Sequence, residues 1–276
     1  MPALTFSKWS SGGNTTIFLH DADAPARTRA ACARAVLSPH VLGAEQAGAV
    51  SLARRSLHMA GGEFCVNASR AFGALLALDG GAGCLEEEIR VSGWDGPVRL
   101  RVRGSAPLWQ VAARLTLPPG TRPGPAPGLA AGARLVRLPG ISHLLQPPGE
   151  QPPPESLLVC ARAALEAAGL LDEAAAGVIW WRPAGPAVAM TPVVHVRDAG
   201  SLVAENACGS GALALALELA SRHGLREYAL AQPSGSLLQV RVSAPDAGGL
   251  VEAEIDGPVT LVARGRVWLD AADEEN

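Results

Sequence analysis

Glu63-Phe64-Cys65-Val66-Asn67-Ala68 opens an apolar run that stops at Asp79-Gly80, and Ala207-Cys208-Gly209-Ser210-Gly211 opens a second that stops at His223-Gly224. Each run begins on a cysteine followed by small or capping residues, Asn67 in one and Ser210 in the other. Each meets a glycine 15 or 16 residues after its cysteine. These are helix start and stop signals. The two cysteines lie 143 residues apart, close to half of the 276-residue chain. Matched segments at half-length spacing predict an internal duplication. Both runs (AFGALLAL and ALALALELA) are apolar all round, so each helix is expected to be enclosed by a sheet of its own half.

The flanking sequence supplies the strands. Val98, Leu100 and Val102 alternate with Arg99, Arg101 and Arg103, the period of a half-buried strand. The second half holds matching material in SLLQVRVS (236–243), VEAEI (251–255) and VTLVA (259–263). Asp95-Gly96-Pro97-Val98 recurs as Asp256-Gly257-Pro258-Val259. Two proline-rich stretches, PPGTRPGPAPG at 118–128 and QPPGEQPPPE at 146–155, cannot be interior strand or helix, because proline fixes φ and lacks an N–H. The expected fold is α/β (α+β) with two pseudo-symmetric halves, each a β-sheet wrapped around a central helix. The boundaries are 1–117, carrying the Cys65 helix, and 118–263, carrying the Cys208 helix.

Composition narrows the function. With 48% hydrophobic and 18% charged residues, the chain is globular and large enough to bury a core. A net charge of −3 leaves no electrostatic footprint for nucleic acid or an anionic membrane. The 23 basic residues are 22 Arg and one Lys, Lys8. A GxxxxGK[ST] phosphate loop is therefore absent, and a pyridoxal Schiff base has a single candidate lysine. The six histidines show no metal-ligand spacing, so neither a metal nor a cofactor is expected. Cys32, Cys65, Cys84, Cys160 and Cys208 are too scattered for a disulfide scaffold, and Cys32, Cys84 and Cys160 are expected to be structural. Glu86-Glu87-Glu88 reads as a solvated face. The start MPALTFSKWSSGGN lacks the apolar core of a signal peptide, and the most apolar helical run is too short to span a bilayer. A cytoplasmic protein with reduced thiols is the expectation.

A thiol at a helix start sits among first-turn N–H groups that carry partial positive charge, which depresses its pKa. The same N–H groups bind a carboxylate. Two such starts brought together would flank one anion site with two sulfurs. That arrangement suits moving a proton on and off the α-carbon of an amino acid, one thiolate taking it from one face and a thiol returning it to the other.

Phe6-Ser7-Lys8 followed by Gly13-Asn14, then Gly43-Ala44-Glu45-Gln46, Glu63-Phe64-Cys65-Val66-Asn67-Ala68 and Glu205-Asn206-Ala207-Cys208-Gly209-Ser210-Gly211 resemble, in this order, the diaminopimelate epimerase superfamily. The resemblance runs from Phe6 to about Val267. More narrowly, these motifs with Gln232-Pro233-x-Gly235-Ser236 are similar to the cofactor-independent histidine racemases of staphylopine-type metallophore pathways. The resemblance implies a diaminopimelate epimerase-like fold in which 264–276 is a last strand returning to the first half. It implies Cys65 and Cys208 as the acid/base pair. Val66-Asn67 and Gly209-Ser210 would supply carboxylate-binding N–H groups, Asn14 and Gln46 would line the site, and His143 would line the pocket. Val66 stands where the superfamily has glycine and adds a Cβ beside the carboxylate.

Positions that hold the second amino-acid centre in diaminopimelate epimerases resemble Met59, Ile141 and Ile179 here, all apolar, which disfavours diaminopimelate. Glu45 can accept a hydrogen bond from an imidazole N–H, and can equally be a loop carboxylate or a helix-start charge. The expected activity is racemisation of histidine by two cysteines, supplying D-histidine to opine metallophore synthesis. Racemisation of another amino acid, or amino-acid binding without catalysis on the same fold, are the alternatives. The expected partner is a small-molecule amino acid, not nucleic acid or membrane. A homodimer stays open, since the sequence fixes no oligomeric state.

Overall fold

Alternating strands and two helices apolar on every face repay their burial only if each helix is wrapped, and the chain does this twice. The computed structural model describes residues 3–20, 26–126, 128–129, 132–149, 151–198, 200–224, 226–246 and 248–269. It folds as two units, the first from Met1–Ala113 with Pro258–Asn276, the second from Arg114–Gly257.

In the first unit β1 (Ala3–Ser11) turns into β2 (Asn14–Leu19), followed by α1 (Ala26–Leu37), β3 (Gln46–Ser51), β4 (Ser56–Met59), α2 (Val66–Asp79), β5 (Cys84–Val91) and β6 (Val98–Ser105). The pairs β1–β2, β3–β4 and β5–β6 are antiparallel, whereas β2–β3 and β4–β5 are parallel across α1 and α2. The β1–β2 turn needs φ of 64° at Gly12 and 104° at Gly13, conformations that glycine adopts without a Cβ penalty. Strand β7 (Leu108–Leu117), beside β6, carries the chain out of this unit.

The second unit holds the small β8 (Gly124–Pro125), then β9 (Arg134–Leu138), β10 (Ile141–Leu145), α3 (Leu157–Ala167), β11 (Ala175–Ala184), β12 (Ala187–Val196), the edge strand β13 (Ser201–Ala204), α4 (Gly209–His223), β14 (Glu227–Ala231) and β15 (Leu237–Val242). Here β9–β10, β11–β12 and β14–β15 are antiparallel, and β10–β11 and β12–β14 are parallel across α3 and α4. Hairpin, helix, hairpin, helix, hairpin thus occurs twice. Strand β16 (Val251–Trp268) starts in the second unit against β15. It ends in the first, antiparallel to β1 from Ser11↔Val259 to Ala3↔Trp268. Residues 270–276 lie outside those described.

Residues 66–77 of α2 are all buried, against β1, β2, β5 and β6. Residues 209–220 of α4 are likewise buried, against β9, β10, β11, β14 and β15. Glu218, the one charge on that buried run, is held by Arg134 and Arg222. Helices α1 and α3 seal outer clusters, Cys32 and Val36 on Phe6, Ile17 and Leu19, and Ala161 and Leu165 on Leu144, Val178 and Trp180. Val98, Leu100 and Val102 are buried while Arg99 and Arg103 are exposed. In the Glu86–88 run of β5, Glu86 and Glu88 are exposed and Glu87, on the opposite side of the strand, is half-buried; Glu88 pairs with Arg99 and Glu87 with Arg55. The stretch at 118–128 runs from β7 to β9 and contains the two-residue strand β8, which pairs with β9 at the end of the strand order, where a proline is tolerated; that at 146–155 connects β10 to α3, with residues 127 and 150 outside those described. No helix of the described residues is long and apolar enough to cross a membrane.

Gly73 shows how tightly α2 is wrapped. A Cβ there would sit 2.9 Å from Leu100 Cδ1 and 3.2 Å from Val102 Cγ2. Alanine normally gains about 1 kcal/mol over glycine inside a helix. Gly73→Ala is nevertheless expected to destabilise by about 1–2 kcal/mol, because overpacking outweighs that gain. Urea unfolding at unchanged m value checks it, and a stabilised variant would contradict the packing.

Candidate active site

The chain enters both central helices in the same way. Cys65 precedes α2 at φ −127°, ψ 109°, and its Sγ accepts from Ala68 N–H at 3.3 Å. Cys208 precedes α4 at φ −132°, ψ 105°, and its Sγ accepts from Gly211 N–H at 3.4 Å. The N-caps are therefore the cysteines themselves. Asn67 and Ser210, expected as capping residues, are the second helical residues instead, because the extended cysteine already brings its sulfur to the third N–H.

Around Cys208 the second unit builds a polar shell. The thiol lies 3.6 Å from Ser210 Oγ, which lies 2.9 Å from His143 Nε2. Glu205, three residues upstream, hydrogen-bonds the thiol. Gln232 Oε1 accepts the Cys208 N–H at 2.9 Å, and its Nε2 donates to Leu230 O at 3.2 Å. Ser234 N–H donates to Asn206 O, so the β14–β15 turn straps the segment leading into α4. Gln232 and Met190 also line a cavity of about 160 Å³ with Trp180, Trp181 and Thr191.

The electrostatics correct one expectation. The Cys208 thiol is not a helix-start thiolate. Burial pushes its pKa well above the usual thiol range, and Glu205 pushes the same way, outweighing Ser210 and the Gly211 N–H. His143 is fully buried, and desolvation lowers its pKa to about 3, so its ring is neutral. Its Nδ1 has no hydrogen-bond partner among the described residues. Gly177 makes room for that ring, since a Cβ there would lie 2.5 Å from Nδ1. The apolar positions are buried too: Met59, Ile141 and Ile179, the last against Gly211.

In the first unit Cys65 is half-buried, and Val66 and Asn67 behind it are buried. Ser11 Oγ donates to Asn67 O at 2.8 Å. Asn14 faces Ser11 across the β1–β2 hairpin. Gln46 Nε2 donates to Asn14 Oδ1, and Asn14 Nδ2 donates to Glu45 Oε2 at 3.0 Å. The structure thus gathers Cys65, Val66 and Asn67 with the chain Gln46–Asn14–Glu45 in one unit, and Cys208, Gly209, Ser210 and His143 in the other. It adds four residues to which the sequence reading gave no role: Glu205, Gln232, Glu63 and Arg70. Glu63 and Glu205 stand in the motifs beside the cysteines and Gln232 in a separate quoted motif, and that placement was their signal. Arg70 had none beyond being a charge in an apolar run.

Glu63 Oε2 is buried with no hydrogen-bond partner among the described residues. Burial raises the Glu63 pKa against the pull of the Glu63 and Gly61 backbone N–H groups. A folded-state pKa above the unfolded one gives stability that is full below the ordinary carboxylate range and lost as pH rises through the folded value. Glu63→Gln removes that loss. Its Tm is expected to match the parent near pH 4 and exceed it from pH 7 upward; parallel Tm–pH curves would show that Glu63 ionises without cost.

The family model described as "Histidine racemase CntK N-terminal domain" matches residues 3–268. Histidine racemases from two strains of Fusobacterium nucleatum subsp. nucleatum are 27% and 28% identical over 270 residues, covering 96% of this chain and 97% of each relative. Among solved structures, a hydroxyproline epimerase from Agrobacterium vitis with bound trans-4-hydroxy-L-proline superposes with a TM-score of 0.69 at 12% identity, over 99% of this chain and 94% of that one. At that identity the likeness is one of fold.

Proposed function

We propose, on the premise that this chain belongs to the histidine racemase family, that it interconverts L- and D-histidine with Cys65 and Cys208 as its acid/base pair. It is an isomerase of the racemase type. The observation that carries the mechanism is the matched pair of cysteine N-caps, with nearly equal backbone angles and equivalent sulfur contacts in the two units.

In this reading the substrate carboxylate lies on first-turn N–H groups, those of Val66-Asn67 and Gly209-Ser210. There the charge of the α-carbanion accumulates on preorganised donors. Cys208 rests as a thiol, as its burial favours, and is the proton donor; Cys65, on the other face, is the base. The base takes the α-proton from one face as Cys208 Sγ delivers its own to the other. The enzyme is left with Cys65 protonated and Cys208 as thiolate, the form that serves the opposite enantiomer. Ser210 Oγ, 3.6 Å from Sγ, can then donate to that thiolate. Lys8, the only lysine, supports chemistry on the protein's own thiols, because its Nζ is engaged by the Leu42 and Gly43 carbonyls.

The product D-histidine would enter opine metallophore synthesis. Five free cysteines support a reducing, cytoplasmic setting, with an amino acid as the partner rather than nucleic acid or membrane.

Proton NMR of L-histidine in D₂O, with reduced protein and a pyridoxal-trapping reagent, tests the activity. Loss of the α-proton signal despite the trap is expected, and no exchange would defeat the reading. Cys65→Ala and Cys208→Ala should each lower racemisation by about 1,000-fold or more, within the range of a lost general acid or base. Full activity in either would remove the two-thiol mechanism. Glu45→Ala is expected to weaken the preference for histidine over other L-amino acids in the same assay. An unchanged preference would leave Glu45 a loop carboxylate.

A further inference from the structure

Arg70 is a fully buried arginine on a helix that is otherwise nearly uncharged. It stands five residues after Cys65, and the reaction as drawn does not use it. Its guanidinium reaches three acceptors in the first unit: Nε donates to Val111 O at 3.0 Å, Nη2 to Pro258 O at 3.0 Å, and Nη1 to Asn67 Oδ1 at 3.4 Å. Val111 is on β7, two residues before the chain leaves this unit after Ala113, and Pro258 on β16 is the residue at which it re-enters. One rigid fork therefore ties both connecting strands to the start of the Cys65 helix.

We propose that Arg70 is a positioning residue of the racemase, which sets the Cys65–Asn67 turn against the two strands that carry the chain out of and back into the first unit. The fork also sets the polarity of Asn67. Arginine has donors only, so Asn67 must offer Oδ1 to it, and the amide NH₂ is turned to the other side as a donor. Ser11 Oγ fixes the backbone carbonyl of the same residue. Between them the turn that presents Cys65 is held from strand β1, strand β7 and strand β16. The other unit has no such fork at the equivalent place, where Leu213 stands five residues after Cys208.

The inference rests on the two-cysteine reading. The test compares wild type with Arg70→Met and Arg70→Lys for three quantities: Tm, kcat and KM on L-histidine, and the iodoacetamide alkylation rates of Cys65 and Cys208 mapped by peptide mass spectrometry. A lysine keeps the charge but, with one ammonium, cannot reach acceptors in three directions. In folded Arg70→Lys, kcat is expected to fall about 100-fold, the scale of a roughly 1 Å misplacement of a reacting group. The alkylation rate of Cys65 should change while that of Cys208 does not. If Arg70→Met fails to fold, Arg70→Lys decides alone. Lowered Tm with kcat and both alkylation rates unchanged would make Arg70 a core residue only, as would failure of both variants to fold. A wild type that exchanges no α-proton defeats the racemase reading instead, which separates the two.

Discussion

A helix buried on every side must bury its own N-terminus, and that requirement organises this protein. The first N–H groups of an α-helix have no intrahelical acceptor, and leaving them buried and unpaired is costly. Both α2 and α4 are enclosed from their first residue. Each answers with a cysteine whose sulfur takes the third N–H. Sulfur is a weak acceptor, so it occupies the helix start without neutralising it. The remaining donors keep their affinity for an anion. The sheets, by forcing the helices inside, have made two places where a cysteine sulfur stands among the first-turn N–H groups of a helix.

Duplication explains the likeness of the two turns, and the surroundings explain why they are not interchangeable. Cys208 is buried beside Glu205, and both burial and that carboxylate favour the thiol, against the opposing pull of Ser210, which is itself paired with His143. Cys65 is half-buried, with Arg70 bound to Asn67 in the turn that follows it. The proposed reaction would use such a difference, since in it one group must hold a proton while the other lacks it. Closely similar turns place each sulfur on the third N–H of its helix, while the groups around the two sulfurs differ.

How much of this was legible in the sequence depended on whether the signal was local. The two helices, their glycine stops and the alternation at Val98, Leu100 and Val102 are short-range patterns, and each appears in the structure where the pattern put it. The cap was misread because the usual oxygen-bearing residues were sought. Asn67 and Ser210 are such residues, and the cysteine just before them had already taken the position. The pKa of Cys208 was misjudged for a different reason. A helix start is visible in sequence, but the degree of burial that overrides it is set by strands far along the chain. Gln232, 24 residues after Cys208, and Arg70, whose Pro258 partner is 188 residues away, are long-range in the same sense. A motif can mark such residues without saying what they hold.

The apolar replacements can be judged by the same reasoning. Met59, Ile141 and Ile179 are buried and apolar; if they stand where the resemblance puts them, a second ammonium or carboxylate on the substrate would find no partner in them. What the first unit keeps is a directed chain. Gln46 donates to Asn14, and Asn14 donates to Glu45, so each amide is oriented by its neighbour and the chain ends on a carboxylate. A carboxylate can accept several donors at once. On the proposed reading, an end of that kind would select a side chain that brings an N–H and little charge, which an imidazole does and a distant amino-acid centre does not. The physical case for histidine over diaminopimelate thus combines a loss and a retention. On that reading the apolar trio would deny partners to a second zwitterion, and Gln46–Asn14–Glu45 would offer one oriented acceptor.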